Sequence, residues 1–176
     1  MPTPFIWSTL LLGVALISAF VAGYALFQAP GGRLADRFGP RLVIGLGVVW
    51  WSVFTTLTAL VPAGAAFPLA MLIAVRFLLG AGEAVIYPAA NRMVANWIPS
   101  AERGLANGVI FAGVGVGAGI TPPLITYVLL EWGWQWSFCV CALIGLAACL
   151  VWSLLARDTP ADHPWMGARE LAHIRG

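Results

Sequence analysis

The sequence predicts an all-α membrane protein: a polytopic bundle of about five transmembrane helices over residues 1–156, followed by a polar tail, residues 157–176. Hydrophobic residues make up 61% of the chain and charged residues 9%, whereas a soluble domain carries about 25% charged residues. A chain this apolar lacks the polar side chains to cover a water-facing surface, so a lipid bilayer is its expected partner. Its arginines also collect in alternate connections between apolar runs, as they do in membrane proteins.

Five apolar runs are long enough to cross a bilayer, which requires about 20 mainly apolar residues in helical conformation. The first two runs are separated by the turn-forming residues Pro30-Gly31-Gly32, and the later connections also contain proline or glycine. The predicted spans are residues 5–28, 42–61, 69–93, 105–130 and 136–155.

The arginines predict the orientation of the bundle. Eight of the nine lie in or beside the first and third connections or follow the fifth span: Arg33, Arg37, Arg41, Arg92, Arg103, Arg157, Arg169 and Arg175. The positive-inside rule therefore makes loops 29–41 and 94–104 and the C-terminal tail cytoplasmic in a multi-pass protein of the cell (inner) membrane. The ninth arginine, Arg76, lies inside the third span.

The third span contains two ionisable residues, Arg76 and Glu83. Seven residues at 100° each make about 700°, so both side chains project from nearly one face, about 10 Å apart along the axis. Tyr87 follows Glu83 by one turn and extends this polar stripe, which suits the lining of a solute path. The alternative is a buried ion pair, or partners on a neighbouring helix, that only hold the bundle together. Gly80 and Gly82 are expected to allow close approach of a neighbouring helix.

The fourth span is rich in glycine and contains paired prolines. Gly113 and Gly117 are spaced for a tight helix crossing, and Pro122-Pro123 predicts a kink or break. Kinked helices often border cavities, although close packing alone explains the glycines equally well.

Other classes of function are disfavoured by what the sequence contains. The arginines are scattered, which is unlike a nucleic-acid footprint, and the three cysteines share one apolar run without the spacing of a metal site. The sequence has no HExxH or GxSxG motif, and both histidines lie in the tail. We therefore expect no enzyme activity, cofactor, metal or nucleic-acid partner.

Several segments carry a family resemblance. Residues 32–41, GRLADRFGPR, are similar to the signature loop of the major facilitator superfamily, and residues 76–84, RFLLGAGEA, resemble its fourth-helix motif. Four further strings resemble the anion:cation symporter family, which includes galactonate, hexuronate, glucarate and phthalate permeases and sialin-type carriers: SAFVAGYALFQAPGG, GEAVIYPAANRMVANWIPSAERGLANG, GWQWSF and DTPADHPW.

This resemblance implies a partial N-terminal half of a major facilitator fold. The chain would cover helices two to six of a twelve-helix carrier, a fragment whose partner is the missing carrier half. The implied function is symport of a small organic anion, such as a sugar acid, with a proton; sodium is the other candidate coupling ion. A drug/proton antiporter is an alternative, although GVGVGAGITPPL in the fourth span departs from the antiporter pattern. A non-transporting scaffold is the other.

The resemblance also implies roles for individual residues in the spans. Arg76 would hold the carboxylate of the anion, and Glu83 would take part in proton coupling. Tyr24 would contact the substrate, with a helix-packing tyrosine as the alternative. Tyr87 joins this substrate-binding set because it shares the face of Glu83.

The signature segment is implied to form a conformational latch. Its glycines, Gly32 and Gly39, would allow tight turns, while Asp36 and Arg37 would join a charge network with the other half of the carrier. Asp36 would oppose the positive N-terminal end of a helix in that half. Arg41 would pair with an acidic residue near the fourth or fifth helix, and Glu102 is one candidate.

Overall fold

The computed structural model describes residues 4–62, 64 and 66–175. Within that part of the chain five helical segments are long and apolar enough to cross a membrane, which confirms the predicted number of spans. The third segment consists of two helices in succession, and a turn of 3-10 helix, Pro160–Asp162, precedes the last helix. The helices are α1 Pro4–Phe38, α2 Pro40–Leu60, α3 Pro68–Glu83, α4 Ile86–Trp97, α5 Arg103–Trp132, α6 Trp134–Leu155 and α7 Ala168–Arg175.

Single glycines join two pairs of consecutive helices. Gly39 stands between α1 and α2 with φ +85°, and Gly133 stands between α5 and α6 with φ +90°. Only glycine adopts these left-handed values without steric cost, so each can end one helix and start the next. Pro40 and Pro68 occupy the first positions of α2 and α3, where a missing N–H costs no hydrogen bond.

The predicted turn at Pro30-Gly31-Gly32 is wrong, because α1 continues without interruption to Phe38. Of the predicted loop 29–41, only Gly39 lies outside a helix. Packing against the third span accounts for the difference: a Cβ on Gly31 would lie 2.9 Å from Val85 Cα, and one on Gly32 would lie 3.7 Å from Pro88 Cβ. These glycines therefore serve close helix contact, and tertiary packing overrides their low helix propensity.

The third span is interrupted at its middle. The predicted single helix over residues 69–93 is instead α3, ending at Glu83, and α4, beginning at Ile86. Pro88 explains the interruption, because it has no N–H to donate to the carbonyl of Ala84 and its ring crowds that carbonyl. Glu83 is consequently the last residue of α3.

The predicted break at Pro122-Pro123 does not occur. α5 runs through both prolines from Arg103 to Trp132. Pro122 and Pro123 have no N–H to donate to the carbonyls of Ala118 and Gly119, and the nearby Thr121 hydroxyl donates to the carbonyl oxygen of Gly117 at 2.7 Å. In lipid a helix tends to persist through proline, because water is not there to replace backbone hydrogen bonds that a full break would lose.

The spans pack in a definite order. α1 lies mainly against α3, and α2 packs on α6 and also contacts α3 and α4. α5 packs on α6 and touches α4. At Gly113 and Gly117 of α5, no atom of the described residues lies within 4 Å of the position that a Cβ would take, so their predicted tight crossing is not made by this part of the chain.

The tail is held against the arginine-rich end of the bundle. The indole of Trp97 donates to the carbonyl of Arg157 at 3.0 Å, and the amide of Asn96 donates to that of Asp158, also at 3.0 Å. The N–H of Arg41 donates to the Asp158 carboxylate at 2.8 Å. The end of α4 and the start of α2 are thus both fixed to the residues that directly follow α6.

Candidate functional site

Two glycines bring α1 and α3 into backbone contact. A Cβ at Gly80 of α3 would overlap the carbonyl oxygen of Phe20, and a Cβ at Gly23 of α1 would overlap that of Phe77. The contact is reciprocal, so each helix uses one glycine to admit the backbone of the other. Such small-residue crossings are typical of helices packed in membranes.

A tryptophan of α2 supports α3 just before its end. The indole N–H of Trp50 donates to the carbonyl of Leu78 at 2.7 Å, and the same ring fills the space beside Gly82. On the other side of the interruption, Gly47 lies under the side chains of Val85 and Ile86, 2.8–2.9 Å from a Cβ position. α2 therefore contacts the backbone on both sides of Glu83 and holds this segment in place.

A cavity of about 480 Å³ opens between α1 and α3, and both predicted charged residues line it. Apolar or small residues form the rest of its wall: Gly13, Leu16, Ile17, Phe20 and Leu79. Arg76 and Glu83 are thus brought to one polar surface in an otherwise apolar cavity, as their helical spacing predicts.

Arg76 is not neutralised by a carboxylate in this part of the molecule. No ion pair links it to Glu83 among the described residues, and its Nε is buried without a hydrogen-bond acceptor. Its guanidinium carbon lies 5.9 Å from the centre of the Phe138 ring. The buried Arg76–Glu83 ion pair is therefore not formed among the described residues, whereas a partner on a neighbouring helix is present, the Phe138 ring of α6, and the Nε–H remains without an acceptor.

Glu83 also lines a second cavity, of about 350 Å³, that lies among α2, α4 and α5. Tyr87 shares this wall with Glu83 and stacks on Phe111 of α5 at a centroid distance of 5.9 Å. Trp51 of α2 also lines it. The structure consequently places Tyr87 beside Glu83, but on a different cavity from the one that Arg76 lines.

Tyr24 lines neither of these two cavities. Its ring stacks on Phe20, which does line the first cavity, at a centroid distance of 6.2 Å. Its backbone nitrogen lies 3.0 Å from the Cβ position of Gly80. This placement favours the helix-packing alternative, with Tyr24 supporting the cavity wall through Phe20.

Asp36 and Arg37, two of the residues predicted to form the latch, are exposed. Asp36 is paired with Arg92 of α4 at 3.6 Å, and their side chains are 65% and 52% exposed. Exposed pairs of this kind contribute about 0–1 kcal/mol, so this one can be broken at little cost. Arg37 lies with its guanidinium carbon 5.3 Å from the centre of the Phe38 ring.

The predicted pairing of Arg41 with Glu102 is wrong. The guanidinium of Arg41 donates to the carbonyl of Ser153 at 2.6 Å, while Glu102 lies 3.3 Å from Nε2 of His173 in the tail. The reason is geometric: α2 begins directly after Gly39 and packs on α6, so Arg41 meets the end of α6.

Asp158 is the residue that the sequence reasoning missed. Its carboxylate fills the space where a Cβ on Gly39 would lie and accepts the N–H of Arg41 at 2.8 Å. It therefore caps the positive N-terminal end of α2. The signal in the sequence was the tail string DTPADHPW, which begins with this aspartate, a preferred capping residue.

An apolar bundle with an unpaired arginine and a glutamate facing one cavity at membrane depth defines a class: membrane proteins that pass polar solutes. The family model of the Major Facilitator Superfamily matches residues 1–174. The chain belongs to this superfamily.

Named relatives are transporters rather than enzymes. The probable sulfoacetate transporter SauU of Cupriavidus necator is 36% identical over 159 residues, covering 90% of this chain and 36% of that protein. The probable galactarate/D-glucarate transporter GarP of Escherichia coli K12 is 37% identical over 163 residues, with the same two shares. Sialin of Ovis aries is 32% identical over 159 residues, covering 90% of this chain and 32% of that protein.

A solved structure shows the same fold. It is a bacterial homolog of the human lysosomal transporter Spinster, in an inward-facing and occupied conformation. The TM-score is 0.64 at 24% identity, over 82% of this chain and 36% of the other. The chain thus spans about a third of the length of the relatives that it matches.

Proposed function

We propose that this chain belongs to a secondary active transporter that carries an organic anion, a sugar acid or another carboxylate, across the cell (inner) membrane. One observation carries the proposal: Arg76 faces a cavity of about 480 Å³ in an apolar bundle, with its Nε buried and without an acceptor. An arginine left unpaired at this depth is costly unless a ligand or a rearrangement supplies the missing anion. Carboxylate and sulfonate substrates in the names of the relatives support this class.

The chemistry of guanidinium matches this substrate. Its planar group offers parallel N–H donors to the two oxygens of a carboxylate, and these charge-assisted bonds are stronger than neutral ones. The apolar wall of Leu16, Ile17 and Phe20 keeps the effective dielectric low, which strengthens the attraction. The volume of the cavity lies within the usual range for small-molecule sites, about 300–1,000 Å³.

Glu83 is the proposed coupling residue. It lies at the middle of the span Pro68–Trp97 and lines both cavities, so it is accessible from two sides of its helix. A bound anion at Arg76 adds a negative charge near Glu83, and a proton on Glu83 offsets that charge. We favour a proton over sodium because, in the part of the chain that the structure describes, no second acidic residue lines the cavity of Arg76 and Glu83.

The arginine-rich end is proposed to face the cytoplasm, by the positive-inside rule. There Asp36 and Arg37 are exposed and available to another part of the carrier, whereas Gly39 and Arg41 are held by the tail. The latch is therefore assigned to Asp36 and Arg37, with the exposed Arg92 pair as the bond that breaks on switching.

Substrate binding is tested by Arg76→Lys in a complete relative that carries these residues. Lysine keeps the charge but loses the paired donors, so we expect the KM for D-glucarate to rise about tenfold. Arg33→Lys is the matched control, because Arg33 is exposed on α1 away from both cavities. An unchanged KM in Arg76→Lys would remove Arg76 from the binding site.

Coupling is tested by Glu83→Gln in the same carrier. The amide cannot take up a proton, so accumulation of the anion against its gradient should be lost while exchange of internal for external anion continues. Retained uphill uptake driven by a proton gradient would contradict the assignment. Uphill uptake that requires a sodium gradient in the wild-type carrier would instead establish sodium as the coupling ion.

A further inference from the structure

Arg76 has one described partner, and it is an aromatic ring. Its guanidinium carbon lies 5.9 Å from the centre of the Phe138 ring, within the distance of about 6 Å for a cation–π interaction. Phe138 closes the string GWQWSF at the start of α6. Such contacts strengthen as the two groups lose water, and Arg76 and Phe138 are both half-buried.

The position of Phe138 is fixed by the packing of α6 on α2. Gly145, two turns further along α6 on the same face, lies against Trp51 and Ser52, 2.6 and 2.8 Å from its Cβ position. Further along, the thiol of Cys149 donates to the carbonyl of Gly45 at 3.4 Å. These contacts fix α6 against α2 and thereby fix the position of Phe138.

Without this ring, Arg76 would have a strong competitor. Glu83 projects from the same face of the third span, and opposite charges attract strongly in a low-dielectric interior. An Arg76–Glu83 ion pair would occupy the donors that an anion needs and the carboxylate that a proton needs. No such pair is formed among the described residues, while the guanidinium lies at the Phe138 ring.

We propose that Phe138 is a positioning residue of the anion site: its ring holds the Arg76 guanidinium away from Glu83 and leaves the N–H edges free for a carboxylate. The inference rests on the proposed function. Stacking on an aromatic face and in-plane hydrogen bonding are compatible for guanidinium, because its five donors point along the edges of the plane. Phe138 itself makes no polar contact with the substrate.

The contact is tested by NMR on the 176-residue chain in lipid nanodiscs. The guanidinium resonances of Arg76 are assigned by their loss in Arg76→Lys, and the ring should shift them upfield. We expect the shift to disappear in Phe138→Leu and to persist in Phe138→Trp. Phe111→Leu is the control, because that ring stacks on Tyr87 at 5.9 Å, outside the cavity that Arg76 lines, and should leave Arg76 unaffected. Equal shifts in wild type and Phe138→Leu would overturn the proposal.

The consequence for binding is tested with D-glucarate in a complete relative that carries these residues. Phe138→Leu should raise the dissociation constant of D-glucarate about tenfold, and Phe138→Trp should restore it. In a Glu83→Gln background the loss of affinity should largely vanish, because no carboxylate then competes for Arg76. An equal loss of affinity in that background would show that Phe138 does not keep Arg76 apart from Glu83. A wild-type carrier that binds no D-glucarate would contradict the proposed function instead, and the Arg76 resonances would still decide the contact.

Discussion

Substitution of Gly80 by alanine tests the helix crossing that positions the cavity. The added methyl carbon would overlap the carbonyl oxygen of Phe20 and lie 3.0 Å from the backbone nitrogen of Tyr24. Both neighbours are backbone atoms of α1, so no side-chain rotation relieves the overlap and the helices must separate. Overpacking of this kind costs about 1–3 kcal/mol. The higher helix propensity of alanine offsets about 0.8–1.0 kcal/mol of this, which leaves a net loss of about 0–2 kcal/mol and a loss of about 1–3 kcal/mol relative to an alanine substitution at an open glycine.

The assay is reversible unfolding of the purified chain in mixed micelles, monitored by tryptophan fluorescence. Gly113→Ala is the matched control, because open space surrounds its Cβ position and only the gain in helix propensity applies. Gly23→Ala meets Phe77 at the same crossing, so the Gly23/Gly80 double variant should lose less than the sum of the single losses. A Gly80→Ala variant as stable as Gly113→Ala would refute the crossing.

Three further substitutions test the cap of α2, the proposed latch and the interruption of the third span. Asp158→Ala removes the cap of α2 and should lower the unfolding free energy by about 1–2 kcal/mol in the same micelles, whereas Asp162→Ala, which loses only a local bond from Thr159, should not. Asp36→Asn should change stability by less than about 1 kcal/mol yet slow transport in a complete relative; normal transport would remove Asp36 from the latch. Pro88→Ala supplies an N–H that can donate to the carbonyl of Ala84, so the new amide at position 88 should be protected from hydrogen exchange. Rapid exchange of that amide would show that proline does not cause the interruption.

The five spans were predictable because they depend on local properties. Length and apolar composition suffice to identify a bilayer-crossing helix, and the seven-residue spacing of Arg76 and Glu83, at 100° per residue, places them on nearly one face of a helix whatever its neighbours. Both features are visible within a single span of the sequence. The structure accordingly brings these two residues to one cavity.

The remaining features depend on contacts distant in sequence. Gly31 remains helical because it packs against Val85, and Asp158 caps a helix that begins more than a hundred residues earlier. The prolines of α5 leave the helix continuous, while Pro88 coincides with an interruption. A proline in the sequence therefore marks a position where a helix is weakened, but it does not by itself decide whether the helix ends there.

Equilibrium binding of labelled D-glucarate tests the central claim, that Arg76 forms an organic-anion site. The measurement uses a complete relative that carries these residues, in nanodiscs, with unlabelled D-glucarate or the uncharged polyol D-glucitol as competitor. We expect saturable binding that D-glucarate displaces, that D-glucitol does not, and that Arg76→Lys weakens about tenfold while Arg33→Lys does not. Equal displacement by the polyol, or equal binding in Arg76→Lys, would contradict it.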